Sequence, residues 1–169
     1  SDKCLGLVES LVDFYPKAKW QRCVVHFYRN VFTVVPKGKR KEVAAMLRAI
    51  HAQEDRAAAL QKAADVTKKL EKLHLKKAAG IVRDGIEETL SYMSFPGEYW
   101  RRIRTNNPLE RIMREIRRLT RVVGNFPDGE SALMLVAARL RHIASTKWST
   151  KHYLNMKRLQ EMNAEETVA

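Results

Sequence analysis

A single carboxylate, Glu110, opens a stretch in which arginine recurs at Arg111, Arg114, Arg117, Arg118 and Arg121. The residues before it, Thr105-Asn106-Asn107-Pro108-Leu109, read as a helix start. Asn107 suits the N-cap, Pro108 the first helical position, and Glu110 the place of a capping-box acid. From Pro108 to about Val122, Leu109, Ile112, Met113 and Ile116 share one helical stripe, while Glu110 shares its face with Arg114, Arg117 and Arg121. Two roles are open to that acid. It can cap the helix and pair with Arg114 at i+4, an interaction worth roughly 0.2–0.5 kcal/mol. It can also turn outward to a divalent cation, with the arginines gripping a phosphodiester, and the two roles are compatible.

Other residues offer weaker chemistry. Asp2 can cap the helix beginning near Lys3, or act as a metal ligand at the end of a strand. Cys23-Val24-Val25-His26 sets a thiol and an imidazole two residues apart. Tetrahedral zinc needs three or four ligands, and Cys4, His51, His74, His142 and His152 show no paired spacing, so a buried thiol and a hydrogen-bonded histidine are the simpler reading. In Tyr99-Trp100-Arg101-Arg102-Ile103-Arg104, Trp100 suits the core and Arg101, Arg102 and Arg104 suit phosphate contact. Lys37, Lys39, Arg40 and Lys41 sit in an interhelical turn that can be a solvated loop. A Gly-rich phosphate loop and a nucleophile elbow are both absent from the sequence. Among enzyme readings, carboxylate-bound metal acting on a polyanion has positive support.

Composition points the same way. A net charge of +13 over 169 residues favours an anionic partner, and nucleic acid is the commonest for a basic domain. A membrane surface competes, but no apolar run is long enough to span a bilayer. Two cysteines make no disulfide framework, so a cytoplasmic, reducing setting is expected. The chain starts at Ser1 without methionine, which suits a fragment or a processed product.

The elements that position these residues are mostly helical. Leu5, Val8, Leu11, Val12 and Tyr15 predict an amphipathic helix over about 3–15, ended by Pro16. Trp20 to Tyr28 is an apolar run, β-branched at Val24 and Val25, that suits a buried strand or leads straight into a helix stopping before Pro36. Three helices are expected at roughly 39–52, 54–73 and 76–93, then a break at Ser94-Phe95-Pro96-Gly97. After the arginine-rich helix stops at Gly124, Asp128 can cap another that carries Leu133, Leu135, Val136, Leu140 and Ile143. The polar tail after Ser149 is expected to fray. The fold class is mainly α, and any strand at 20–28 would find its partners outside the chain.

Taken in order, these residues resemble the C-terminal part of Mutator-type transposases of bacterial insertion sequences. The matching elements are Ser1-Asp2 with a Gly6-containing helix, and Trp20-Gln21-Arg22-Cys23-Val24-Val25-His26 with Arg29-Asn30. Then follow Arg104-Thr105-Asn106-Asn107-Pro108-Leu109-Glu110-Arg111, Arg117-Arg118, Thr120-Arg121-Val122-Val123-Gly124 and Phe126-Pro127. The set covers most of the chain up to about Trp148, with a more divergent helical middle.

The resemblance implies the C-terminal part of an RNase H-like α/β catalytic domain with an all-helical insertion. Residues 1–36 would belong to that core, 37–97 to the insertion, and 98–148 to the return to the core, with 149–169 a polar tail. Asp2 would match the second acid of a DDE triad and Glu110 the third, while the first acid belongs upstream. Cys23 and His26 would match a Cys-x-x-His signature beside the active site, and Asn107 adjoins the third acid. Mg2+ or Mn2+ would be the cofactor, since hard cations take oxygen ligands. DNA at the insertion-sequence ends and target would be the partner, and the full-length protein a homo-oligomer. With its first acid missing, the chain would not catalyse alone. The rival of another class is a non-catalytic basic helical nucleic-acid-binding or regulatory protein derived from a transposase. A helical protein-interaction module is a third, with little DNA affinity.

Overall fold

The computed structural model describes residues 5–146, 154 and 156–168, so Asp2 and Cys4 lie outside it. Among the described residues there is no strand. Nine α-helices follow one another among these described residues: α1 (Leu5–Phe14), α2 (Val24–Thr33), α3 (Arg40–Ile50), α4 (Arg56–Lys72), α5 (Lys76–Gly85), α6 (Gly97–Ile103), α7 (Asn107–Val123), α8 (Gly129–Ser145) and α9 (Met156–Val168). Short 3-10 turns lie at Lys37–Lys39, Glu87–Thr89 and Ser91–Ser94. The chain divides into two units, Ser1–Asn106 and Asn107–Ala169.

The first unit is organised by helical spacing of its apolar residues. Val24, Phe27 and Val31 on α2, Val43, Leu47 and Ile50 on α3, and Ala59, Ala63, Val66 and Leu70 on α4 are all buried. With Ala78, Ala79 and Val82 of α5 they form one core that also takes in Leu75, Ile86, Leu90 and Tyr92. Burying a large aliphatic or phenylalanine side chain is worth about 1.5–3 kcal/mol, so this core accounts for most of the unit's cohesion. Alanine at 59, 63, 78 and 79 lets α4 and α5 approach closely, and the two helices are in contact. Asp55 caps α4, its Oδ1 accepting from Ala58 N at 2.8 Å. Past the end of α4, His74 takes a φ of 60°, the left-handed position more often given to glycine, and the chain turns into α5.

Several expectations need correcting. The run Trp20–Tyr28 is not a strand: α2 begins at Val24, and its buried residues repeat at helical spacing. The backbone just before it is paired with loops instead. Arg22 N donates to Glu88 O at 2.8 Å, Ser91 Oγ to Trp20 O at 2.8 Å, and Val24 N to Arg104 O at 3.0 Å. The helix expected to reach 93 ends at Gly85 and gives way to 3-10 turns. Phe95 and Pro96 are extended, as the break predicted, but a short helix, α6, follows at once. The tail is not wholly frayed, because Met156–Val168 is helical.

In the second unit α7 and α8 are in contact. Gly124, at φ 79°, stops α7 where the sequence placed the stop, and Asp128 caps α8 by accepting from Ser131 N at 2.7 Å. Ile112, Ile116, Leu135, Val136 and Ile143 are half-buried. Leu109 and Met113, expected on the core stripe, are 54% and 39% exposed, and Leu133 and Leu140 of α8 are exposed as well. No described residue of this unit is fully buried, so its helices are held by partial burial and by polar contacts.

Candidate nucleic-acid interface

Helix α7 carries the richest set of functional candidates. Asn107 is its first residue and is exposed. Glu110 lies in the first turn and is half-buried. A carboxylate there is favoured by the helix dipole and stands close to exposed backbone N–H groups. Arg111, Arg114, Arg117, Arg118 and Arg121 are all exposed along the same helix. At 1.5 Å per residue, Arg111 to Arg121 spans about 15 Å of helix axis, enough to meet several successive phosphates.

Glu115 gives this helix its second attachment. Its Oε2 lies 3.0 Å from Arg139 Nη2 on α8 and 3.4 Å from Arg118 Nε. Arg139 is the main cause that holds the Glu115 carboxyl below the usual range, with Arg118 adding to it. Arg118 is thereby partly engaged within the protein, whereas Arg114, Arg117 and Arg121 point their charge into solvent.

The basic residues of α6 divide. Arg101 and Arg102 are exposed, and Tyr99 beside them is buried, so Tyr99 is not a surface for stacking bases. Trp100 packs edge-on against Tyr92 with ring centroids 5.4 Å apart and donates its indole N–H to Phe95 O at 2.6 Å, as a core residue would. Arg104 is half-buried beside Tyr92, and its charge also acts on Tyr28 and His51. Burial pushes the Tyr92 hydroxyl up, and Arg104 counteracts that rise.

Cys23 is the N-cap residue of α2 and is buried, making no disulfide and no capping hydrogen bond. His26 follows in the first turn, half-buried. Sequence reasoning missed the work of the two residues before this pair. Gln21 donates to Thr89 O at 2.9 Å and accepts from Tyr92 N at 2.7 Å. Arg22, 6% exposed, pairs with Glu88 at 3.2 Å and lies over the Phe27 ring at 5.2 Å. Gln21 and Arg22 thus fasten the entry to α2 onto residues 88–92, some seventy positions later. The recurrence of polar residues inside an apolar run was the signal available.

A site for Mg2+ or Mn2+ needs several oxygen donors. Among the described residues no group of three or more His, Cys, Asp and Glu is placed to hold a metal ion. The described donors therefore do not make such a site by themselves, and the same holds for zinc at Cys23 and His26. Among the described residues, no helix is long and apolar enough to cross a membrane.

Comparison with known proteins gives this arrangement its context. Residues 1–150 match the family described as Transposase, Mutator family. The chain is 34% identical over 164 residues to the transposase for insertion sequence element ISRM5 of Rhizobium meliloti, covering 95% of this chain and 40% of that protein. It is 34% identical over 166 residues to the transposase for IS1081 of Mycobacterium tuberculosis, covering 97% and 39%. To the transposase for IS406 of Burkholderia multivorans it is 36% identical over 156 residues, covering 92% and 40%. The chain thus spans about 40% of the length of these relatives. With the motifs of α2 and α7 inside the matched region, this chain belongs to the Mutator family of transposases.

Proposed function

We propose that this chain is the part of a DDE transposase, of RNase H-like descent, that grips DNA and supplies one carboxylate of a metal site. The row of exposed arginines on α7, with Glu110 in the first turn of the same helix, carries the reading. Arg101, Arg102, Arg111, Arg114, Arg117, Arg118 and Arg121 would contact the phosphate backbone, which positions DNA with little regard to sequence. Glu110 would serve beside Asp2 and a further acid, neither of them among the described residues. Bound Mg2+ or Mn2+ would supply Lewis-acid assistance to transfer of a phosphodiester at insertion-sequence ends. The partners would be DNA and further copies of the full-length protein, in the cytoplasm.

The 169-residue chain alone is expected not to cut DNA, because Asp2 and Glu110 are two carboxylates where the proposed triad needs three. The test pairs this chain with a polypeptide of its relatives' full length that contains it. Magnesium-dependent nicking of element-end DNA is expected from the longer protein only, and Glu110→Gln should abolish it while leaving DNA binding in place. Unchanged nicking by that variant would refute the metal role of Glu110. The second reading, a non-catalytic regulatory DNA binder derived from a transposase, rests on the exposed arginines alone. It predicts no cleavage by either polypeptide.

A further inference from the structure

A second cationic surface lies wholly within the first unit, away from the arginines of α6 and α7 in sequence. Lys39 Nζ donates to Leu73 O at 3.2 Å, and Leu73 is the residue that closes α4. That bond sets the 3-10 turn Lys37–Lys39 and the start of α3 against the turn between α4 and α5. Lys37 and Lys41 come from one segment, and Lys72, Lys76 and Lys77 from the other. All five are exposed, and none is ion-paired among the described residues.

Lys72 suits the last turn of α4, but helix stability does not explain the lysines at helix starts. Lys41 lies in the first turn of α3, and Lys76 and Lys77 open α5. The positive end of the helix dipole disfavours cations there. Glu42 in the same turn offsets this in α3, whereas α5 has neither an acid in its first turn nor a capping side chain at Leu75. Sequence distance makes the convergence non-trivial, since the two segments are more than thirty residues apart and meet only through folding.

We propose that this pole is a second contact surface for the phosphate backbone of DNA, a proposal that rests on DNA being the partner inferred above. A lipid surface fits less well. No large apolar side chain is exposed between residues 37 and 77, so nothing there would insert among acyl chains. A protein partner fits less well too, because protein interfaces are depleted in lysine and built around aromatic and apolar anchors.

The test is the salt dependence of binding between the 169-residue chain and a fluorescent duplex of arbitrary sequence. Each phosphate contact contributes about −0.9 to the slope of log affinity against log salt. Lys76→Gln/Lys77→Gln should flatten that slope by about 1–2 and weaken binding roughly three- to tenfold near 0.1 M salt. Lys37→Gln/Lys41→Gln should do the same. The charge-matched control, Lys17→Gln/Lys19→Gln, should leave the slope within about 0.5 of the parent. The melting temperature of the Lys76/Lys77 double variant should hold or rise, which separates lost contact from lost fold. Equal slopes for the test and control variants would overturn the proposal. So would a loss confined to phosphatidylserine vesicles. If Arg114→Gln/Arg117→Gln/Arg121→Gln flattens the slope and the lysine variants do not, this proposal falls and the α7 reading stands. Absence of any DNA binding by the chain brings down both.

Discussion

His51 Nδ1 lies 2.9 Å from the Tyr28 hydroxyl, and the other ring nitrogen lies 3.0 Å from Thr89 Oγ1, all inside the core of the first unit. The Thr89 hydroxyl donates to Ile86 O at 2.6 Å, so it accepts from Nε2–H, while the Tyr28 hydroxyl donates to Leu47 O at 2.8 Å and that carbonyl lies 3.2 Å from Nδ1. Burial, with Arg104 adding to it and the Leu47 carbonyl opposing, lowers the His51 pKa from 6.5 to about 4. Between those values the unfolded chain binds more protons than the folded one. The stability due to neutral His51 is therefore complete above pH 6.5 and lost as pH falls to about 4, a change on the order of 3 kcal/mol. Urea unfolding at pH 7.5 and 4.5 should show that loss in the parent and much less of it in His51→Asn. Equal pH dependence in the two proteins would assign the effect to other groups.

Gly85 and Gly80, both on α5, should respond oppositely to alanine. A Cβ at Gly85 would meet Arg22 Nη1 at 2.8 Å and Phe27 Cε2 at 3.1 Å, whereas nothing lies within 4 Å of one at Gly80. Arg22 has little room to yield, being buried, paired with Glu88 and seated over Phe27. Overpacking of this kind costs about 1–3 kcal/mol, more than the helix propensity alanine recovers near a helix end. Gly80→Ala should instead gain up to about 1 kcal/mol. Thermal melts of the two variants should move in opposite directions. A Gly85→Ala protein as stable as the parent would show that α2 and α5 can separate at no cost.

These residues also show where sequence reading reached and where it stopped. The helices α3, α4, α7 and α8 were legible because spacing, the Gly124 stop and the Asp128 cap are local signals. The start of α2 was not, since Val24 and Val25 satisfy a strand pattern as well as a helical one. Only the pairing of residues 20–24 with 88–91 and 104 decides between them. The roles of Gln21 and Arg22 are not legible in sequence, because their partners are some seventy residues distant. Leu109 and Met113 were placed on a core stripe from periodicity alone, and periodicity cannot report how much surface is available to cover them. The arginines of α7 were legible as a charged face, and their exposure agrees.

Arg104 and Arg114, both expected to meet phosphate, should separate into different roles. Arg104 is half-buried and its carbonyl receives Val24 N at 3.0 Å, tying α2 to the end of α6. Its side chain stands beside the Tyr92 hydroxyl, although the pair falls short of ordinary hydrogen-bond geometry. Arg104→Gln keeps the backbone bond but trims a half-buried side chain from beside Tyr92, at a cost of about 1 kcal/mol. Arg114 is exposed on α7, where exchange for glutamine should leave stability within about 0.5 kcal/mol. The order reverses for DNA. Arg114→Gln should reduce the salt slope by about one contact, and Arg104→Gln should change it little once both proteins are folded. Melting curves and salt-dependent binding on the same two variants decide the matter. If Arg104→Gln melts with the parent and loses the larger share of DNA affinity, its guanidinium serves the phosphate backbone rather than the tyrosine cluster.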